Sequence, residues 1–503
     1  MKTAAGIVML FLMALICSGL AQAQISSFQH IVLIVQENRT PDNLFQGLCL
    51  APYGSPSACG TGANQYNIQS YGFDKKGTKI PLQAVPLSNT HDPGHGHSAF
   101  EAMCNPNKET YYPCSVNTAL SIAGCTQNEN TSLCSFQYVD PNPAVTPSLG
   151  SYLYIAQNFG WANVMYQTNQ GPSAPAHQFL FGGTSAPSAT DDEQATFVAE
   201  NPSGLGCLAP LNAVYNLIDP ATAPKEYNLI NSPLGTVCFS HDTLANELEN
   251  DGNNSGNGNT WRYYAVGTEA AHVSNNIWTA PNWIYDICQP NSGYTKCLGS
   301  DWIDNVYLIP SQVLKDSVSP TCDLKNMVWV TPTGQNSDHP SSTGTHVGGP
   351  LWVASIINAI NGSSCTDTIN GVAVPYWQDT AIVVVWDDWG GWYDHVLPQF
   401  LSAPNEGQGD YQLGFRVPLL FVSAYTTHII DSTNQYDFGS VLRFAEHNFG
   451  IREGVMGFAD ARSTTDLTAF YNLSLTPTQF PIPTYGSSVV VDDKLPPDPP
   501  DDD

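Results

Sequence analysis

The sequence predicts an α/β protein built on a mostly parallel sheet. Two observations lead there. Short apolar runs of strand length alternate with segments of helical periodicity, the pattern of a parallel sheet with crossover helices. Several of those runs stop abruptly at carboxylates, amides, histidines or a serine. Sites in open α/β sheets form at such strand ends.

Residues 1–23 carry Lys2, an apolar segment at 7–20 and Ala21-Gln22-Ala23, the layout of a secretory signal peptide. The mature chain is therefore expected to be secreted or periplasmic. No later run reaches the roughly 20 apolar residues that span a bilayer, so no transmembrane segment is expected in it. Cys17 falls in the signal, which leaves twelve of the thirteen cysteines. An even number in an exported chain implies disulfides, and six neighbour-to-neighbour bridges are the simplest arrangement. With 44 acidic against 16 basic residues the net charge is −28. That excludes a nucleic-acid partner, which needs clustered Lys and Arg, and disfavours anionic membrane surfaces.

Taken in order, residues 28–35 read as a buried strand that ends in Gln36-Glu37-Asn38-Arg39-Thr40. Glu37 and Asn38 are hard oxygen donors suited to a cation. Asn38-Arg39-Thr40 is formally a glycosylation sequon, but it lies against that strand. Residues 49–150 look like stapled loops inserted over the core. Within them, His91-Asp92-Pro93-Gly94-His95-Gly96-His97 is rich enough in histidine to send His95 into a site. Residues 151–159 have helical spacing and 161–165 suit a strand. Gly171-Pro172 then sets a turn, with Ser173 as N-cap and Pro175 in the first helical turn. A serine there meets free amides and the positive end of the helix dipole, which suits a phosphate; an ordinary cap is the other reading. Residues 184–325 form a second insertion with a helix at 243–250 and a strand at 261–266, and no chemistry is assigned to them.

Residues 326–330 form a short strand leading to Ser337-Asp338-His339-Pro340, where His339 suits proton transfer. A buried helix at 349–360 precedes the apolar run 381–386, which ends in Asp387 and Asp388. Neighbouring strand residues face opposite ways, so both carboxylates reach one ion only where the strand ends and turns. Gly390 and Gly391 supply that turn, and Asp394 and His395 return two more polar groups. A plain acidic turn is the competing account. A core strand at 417–423 and an amphipathic helix at 440–449 complete the domain, expected to span 24–484. The acidic Pro/Asp tail at 485–503 is expected to be disordered. Oxygen-rich ligands around a serine point to metal-assisted attack on a phosphorus or sulfur ester.

The same residues resemble a family. Gln36-Glu37-Asn38-Arg39 with Phe45, Gly171-Pro172-Ser173 with His177-Gln178, Ser337-Asp338-His339-Pro340 and Asp387-Asp388-x-Gly390-Gly391-x-Tyr393-Asp394-His395-Val396 are similar, in order, to motifs of the phosphoesterases that include bacterial phospholipases C and AcpA-type acid phosphatases. The resemblance implies an alkaline-phosphatase-like fold. It implies one divalent ion (Ca, Mg, Mn or Zn) held by Glu37, Asn38, Asp387 and Asp388, with Ser173 as ligand and as the nucleophile that forms a phosphoseryl intermediate. His339 would protonate the leaving group, with His95 and Asp338 nearby. Arg39, His177, Asp394 and His395 would contact a phosphate ester or phospholipid head group. Two departures stand out: Arg39-Thr40-Pro41-Asp42 replaces the usual Arg-Ser-Phe-Asp, and Ser173-Ala174-Pro175-Ala176-His177 mixes phosphatase and lipase features. A sulfatase-like hydrolase is less well matched, because Ser173-x-Pro175 lacks the Arg that follows in that setting. A non-catalytic ester- or cation-binding protein is the remaining alternative.

Overall fold

The computed structural model describes residues 25–73, 78–104, 134–189, 197–200, 206–210, 213–219, 223–230, 238–250, 258–274, 276–341, 343–401, 411–452 and 454–485. The expected signal peptide and nearly all of the acidic tail lie outside these residues. At the centre is an eight-stranded sheet: β1 (His30–Gln36), β2 (Gly160–Ala162), β3 (Trp261–Tyr264), β4 (Val306–Tyr307), β5 (Met327–Val330), β6 (Thr380–Trp386), β7 (Leu419–Ser423) and β8 (Ile429–Asp431). Their spatial order is β4-β3-β5-β1-β6-β7-β2-β8. Only β7 runs against the rest, since it pairs antiparallel with both β6 and β2.

β1 and β6 are the central pair, and every residue in both is buried. Strands covered on both faces lose the polar–apolar alternation, which is why both read as continuous Val/Ile/Leu runs. Each such side chain contributes about 1.5–3 kcal/mol by leaving water. Their parallel register runs from His30 opposite Thr380 to Gln36 opposite Trp386, so Glu37 and Asp387 leave adjacent strands at the same level.

Helices cover both faces. The main ones are α1 (Gly150–Asn158), α2 (Ser173–Gly182), α3 (Gly349–Asn361) and α4 (Phe438–Phe449). Tyr152 of α1 packs on Trp386 with ring centroids 5.1 Å apart, and Phe181 of α2 packs on Trp329 at 5.0 Å. Trp329 is level with Val383 through Leu33, three residues from Trp386, so the two helices lie on opposite faces. α3 packs on α1 and α4 on α2. α4 is capped at both ends: Asp437 and Ser440 form a reciprocal box, and Gly450 adopts a left-handed conformation.

The two stretches expected as insertions carry regular structure, including the strand expected at 261–266. Residues 184–325 contribute β3 and β4 to the central sheet, beside a separate antiparallel sheet of Phe197–Glu200, Val214–Asp219 and Ala223–Ile230. Residues 49–150 hold two-stranded sheets and a helix at His97–Cys104, not loops alone. Four neighbour bridges are formed: Cys49–Cys59, Cys207–Cys238, Cys288–Cys297 and Cys322–Cys365. The other two pairings involve Cys114 and Cys125, outside the described residues. Among the described residues no helix is long and apolar enough to cross a membrane.

Candidate active site

The ends of β1 and β6 and the start of α2 meet in one buried cluster. Ser173 is the first helical residue of α2, with Pro172 at the cap, one position inside the expected N-cap. Its Oγ stands 3.3 Å from Asp388 Oδ2, 3.4 Å from Glu37 Oε2 and 3.5 Å from Asn38 Oδ1. A hydroxyl has one proton to donate, and these distances exceed the usual 2.7–2.8 Å of an O–H···O bond. They match the spacing of about 2.9–3.4 Å between oxygens that share an ion with 2.0–2.1 Å bonds.

Asp387 is arranged so that one oxygen is used and the other is left over. Its Oδ1 accepts from the backbone N–H of Asn38 at 3.0 Å and of Asp388 at 2.7 Å. Its Oδ2 is buried with no hydrogen-bond partner, 3.8 Å from His177 Nε2. His177 Nε2 also lies 3.3 Å from Glu37 Oε1. Burial pushes the His177 imidazole down to about 4 despite the pull of Asp387, so its nitrogens are neutral near pH 7. Glu37, His177 and Asp387 each offer a ligand atom within 4.8 Å of the others. A buried carboxylate oxygen without a donor, beside a neutral imidazole and further oxygens, fits a divalent cation.

The loops around the cluster are shaped for it. Asn38 has φ 59°, a left-handed conformation that asparagine tolerates better than most residues. Gly390 and Gly391 have φ 61° and 68°, and a Cβ on Gly391 would stand 2.7 Å from the Gly94 carbonyl. The Gly-Gly turn thereby lets the loop carrying His95 approach. His95 Nδ1 lies 2.9 Å from the Pro93 carbonyl, which only accepts, so Nδ1 carries the proton and Nε2 accepts from Asn38 Nδ2 at 3.0 Å. That bond fixes the Asn38 amide with Oδ1 toward Ser173. His339 follows at the rim, its ring 6.0 Å from that of His95 and 6.3 Å from Trp278.

Four expected site residues lie elsewhere. Asp338 sits behind Trp386, and its Oδ2 accepts from Tyr152 at 2.9 Å and Trp386 at 3.0 Å. Arg39 turns from Ser173 and donates to the Asp338 carbonyl and to Asn43 Oδ1, with its guanidinium 5.2 Å from the Trp392 ring. Asp394 binds Arg416 through both oxygens at 2.9 Å, and His395 Nδ1 lies 2.7 Å from Asp42 Oδ2. Neither Arg39, Asp394 nor His395 thus has the substrate-facing orientation expected of it; each is spent on a partner that anchors a loop. Asp42, in the departing Arg-Thr-Pro-Asp stretch, is central to the second network because it also meets Arg416 at 3.4 Å. His177, expected as a substrate contact, instead lies among the candidate ligands. The signal for it was its spacing of four from Ser173, which places both on one helix face.

These features define an α/β protein with a buried cluster of three carboxylates, an amide, an imidazole and a serine at the carboxyl edge of its sheet. The chain belongs to the Phosphoesterase family, whose sequence model matches residues 28–452. It is 27% identical over 179 residues to "Phospholipase C A" of Mycobacterium tuberculosis, covering 31% of each chain. It is 22% identical over 477 residues to "Hemolytic phospholipase C" of Pseudomonas aeruginosa, covering 85% of this chain and 54% of that one. The chain therefore spans only part of the length of these relatives. A solved structure of a protein in the alkaline phosphatase superfamily from Vibrio parahaemolyticus aligns with a TM-score of 0.32 at 10% identity, over 63% of this chain and 66% of that one.

Proposed function

We propose that this chain is an exported hydrolase of phosphoric esters, in the manner of a phospholipase C or an acid phosphatase, with Ser173 as nucleophile. The observation that carries the reading is the position of Ser173 Oγ, within 3.5 Å of oxygens from Glu37, Asn38 and Asp388 at the start of a ten-residue helix. The relatives named phospholipase C support a phospholipid-type diester as substrate, and the disulfides support an oxidising, extracytoplasmic setting.

Glu37, Asn38, Asp387, Asp388 and His177 would hold one divalent ion beside Ser173. When bound, it would lower the pKa of the serine hydroxyl and neutralise charge on the phosphoryl oxygens. The chain's own residues do the rest. The N-terminal amides of α2 face a phosphate and stabilise its negative charge. Ser173 attacks phosphorus and becomes a phosphoserine, which water then hydrolyses. His339, whose Nδ1 donates to the Pro340 carbonyl, presents Nε2 as the nitrogen that delivers a proton to the leaving oxygen. His95 holds the Asn38 amide. Arg39 is committed to the Asp338 carbonyl, so no arginine is placed by it at the serine, which weakens a sulfatase-like reading.

The test is a paired assay of p-nitrophenyl phosphorylcholine and p-nitrophenyl phosphate across a panel of divalent metals, with Ser173→Ala as control. Hydrolysis of the choline ester, lost in the variant, is expected; hydrolysis of the monoester alone would move the protein to the phosphatase side. Full activity in Ser173→Ala, or none on either ester with any metal, would sink the serine mechanism.

A further inference from the structure

A second cluster of titratable groups lies at the opposite end of the same two strands. His30 opens β1, and Asp379 immediately precedes β6, with its carbonyl accepting from Gln29 N–H at 2.8 Å. Asp367 reaches them from the hairpin of Thr366–Ile369 and Val372–Pro375, which the Cys322–Cys365 bridge ties down. Each of the three offers a ligand atom within 4.8 Å of the other two. Along β1 this cluster is about 20 Å from Glu37.

Three features mark it as more than a set of acids. Asp379 is fully buried, and no donor from outside the cluster reaches either of its carboxylate oxygens; the polar group that faces it is the Asp367 carboxylate. His30 Nδ1 lies 2.9 Å from the Lys325 carbonyl, which can only accept, so that nitrogen carries the proton. The other nitrogen, Nε2, points at Asp367 Oδ2, 2.7 Å away. A backbone carbonyl holding the outer nitrogen is how metal-ligating histidines are commonly oriented. Finally, among the described residues no Lys or Arg forms an ion pair with Asp367 or Asp379. The cluster of Asp42, Asp394 and His395 is the contrast, because Arg416 already supplies its cation.

We propose that His30, Asp367 and Asp379 bind a zinc-type divalent cation at the base of the sheet, a structural site separate from the Ser173 cluster. One imidazole with two carboxylates suits zinc, whereas calcium favours an all-oxygen shell. Tetrahedral zinc ligands stand about 3.4 Å apart, so small side-chain rotations close the triad, and water completes it. Asp367 has a third of its side chain exposed and gives the ion its entry. The bound ion clips the starts of β1 and β6 to the hairpin.

The experiment strips the full-length protein with a chelator, restores it with excess Zn²⁺, removes free metal and measures bound zinc and Tm. Asp367→Asn and Asp379→Asn are each expected to hold about one zinc fewer than wild type and to lose part of the zinc-dependent rise in Tm, with ester turnover unchanged at saturating metal. The double variant Asp387→Asn/Asp388→Asn is expected to lose turnover and its own zinc while keeping the part of the rise that Asp367 carries. The two sites therefore fail separately. Wild-type zinc content in the Asp367 and Asp379 variants would overturn the proposal; it is the result if Asp379 keeps a proton and shares it with Asp367, and Asp379→Asn would then raise the metal-free Tm. If Asp379→Asn does not fold, Asp367→Asn on the accessible hairpin decides.

Discussion

Replacing His95 by alanine is expected to loosen the proposed metal site without removing its chemistry. In the structure His95 Nε2 accepts from Asn38 Nδ2 at 3.0 Å, while its own Nδ1 is tied to Pro93. The lost hydrogen bond alone is worth about 0.5–1.5 kcal/mol. Without it the Asn38 amide can rotate, presenting NH₂ where Oδ1 stood, 3.5 Å from Ser173 Oγ. Loss of such an outer partner weakens metal binding about 10–100-fold, or roughly 1.4–2.7 kcal/mol. The assay is initial rate of p-nitrophenyl phosphorylcholine hydrolysis against free metal concentration. The half-saturating metal concentration should rise by that factor, with kcat at saturating metal within about threefold of wild type. His95→Gln, which keeps an acceptor, should recover part of the loss. A kcat lowered by about a hundredfold at unchanged metal dependence would show instead that His95 exchanges protons with substrate.

Two further perturbations probe the support of the site. Burial pushes the Asp338 carboxyl up to about 6, against the opposing pull of Arg39 and the donors Tyr152 and Trp386. A raised carboxyl binds its proton more tightly folded than unfolded, so its contribution to stability is complete below pH about 4 and is lost as pH rises through about 6, on the order of 3 kcal/mol. Asp338→Asn should flatten that segment of the pH–stability curve in urea titrations; an unchanged slope would show that Asp338 is not its source. Arg416 is fully buried between Asp394 and Asp42 and also donates to the carbonyls of Asn67 and Asn163. Arg416→Leu leaves the buried Asp394 without its cation and Asp42 with His395 alone, and should cost about 3–5 kcal/mol. A loss below about 1 kcal/mol in the same titration would mean the network carries little stability.

Much of the centre was legible because its signals are local. A strand buried on both faces must be apolar throughout, so β1 and β6 announce themselves, and the residues that end them are the ones the sheet delivers to its carboxyl edge. Glu37, Asn38, Asp387 and Asp388 follow from that, and Gly390 and Gly391 from the need for a tight turn. The four bridges follow the simplest neighbour pairing, and proximity in the chain accounts for the two that span 10 and 9 residues; the two that span 31 and 43 residues depend on the fold. Short strands were less so: the two residues of β4 and the three of β8 carry too little periodicity to separate from loops, and they become strands only by pairing with β3 and β2.

What the sequence could not contain is which polar group faces which. Arg39 adjoins Asn38 in the chain, yet its guanidinium is drawn to a carbonyl on the loop after β5, because that loop crosses the sheet edge beside it. Asp394 and His395 lie close to Asp388 in number and join Arg416 and Asp42 instead. His30, Asp367 and Asp379 come from a strand start, a hairpin and a strand start, with no motif to connect them. The composition and strand pattern of the chain determined an α/β sheet with an acidic edge and the residues at that edge. The tertiary structure alone decided their partners, because a buried charge is costly without a counterpart and the nearest one in space is set by loop crossings that leave no periodic trace.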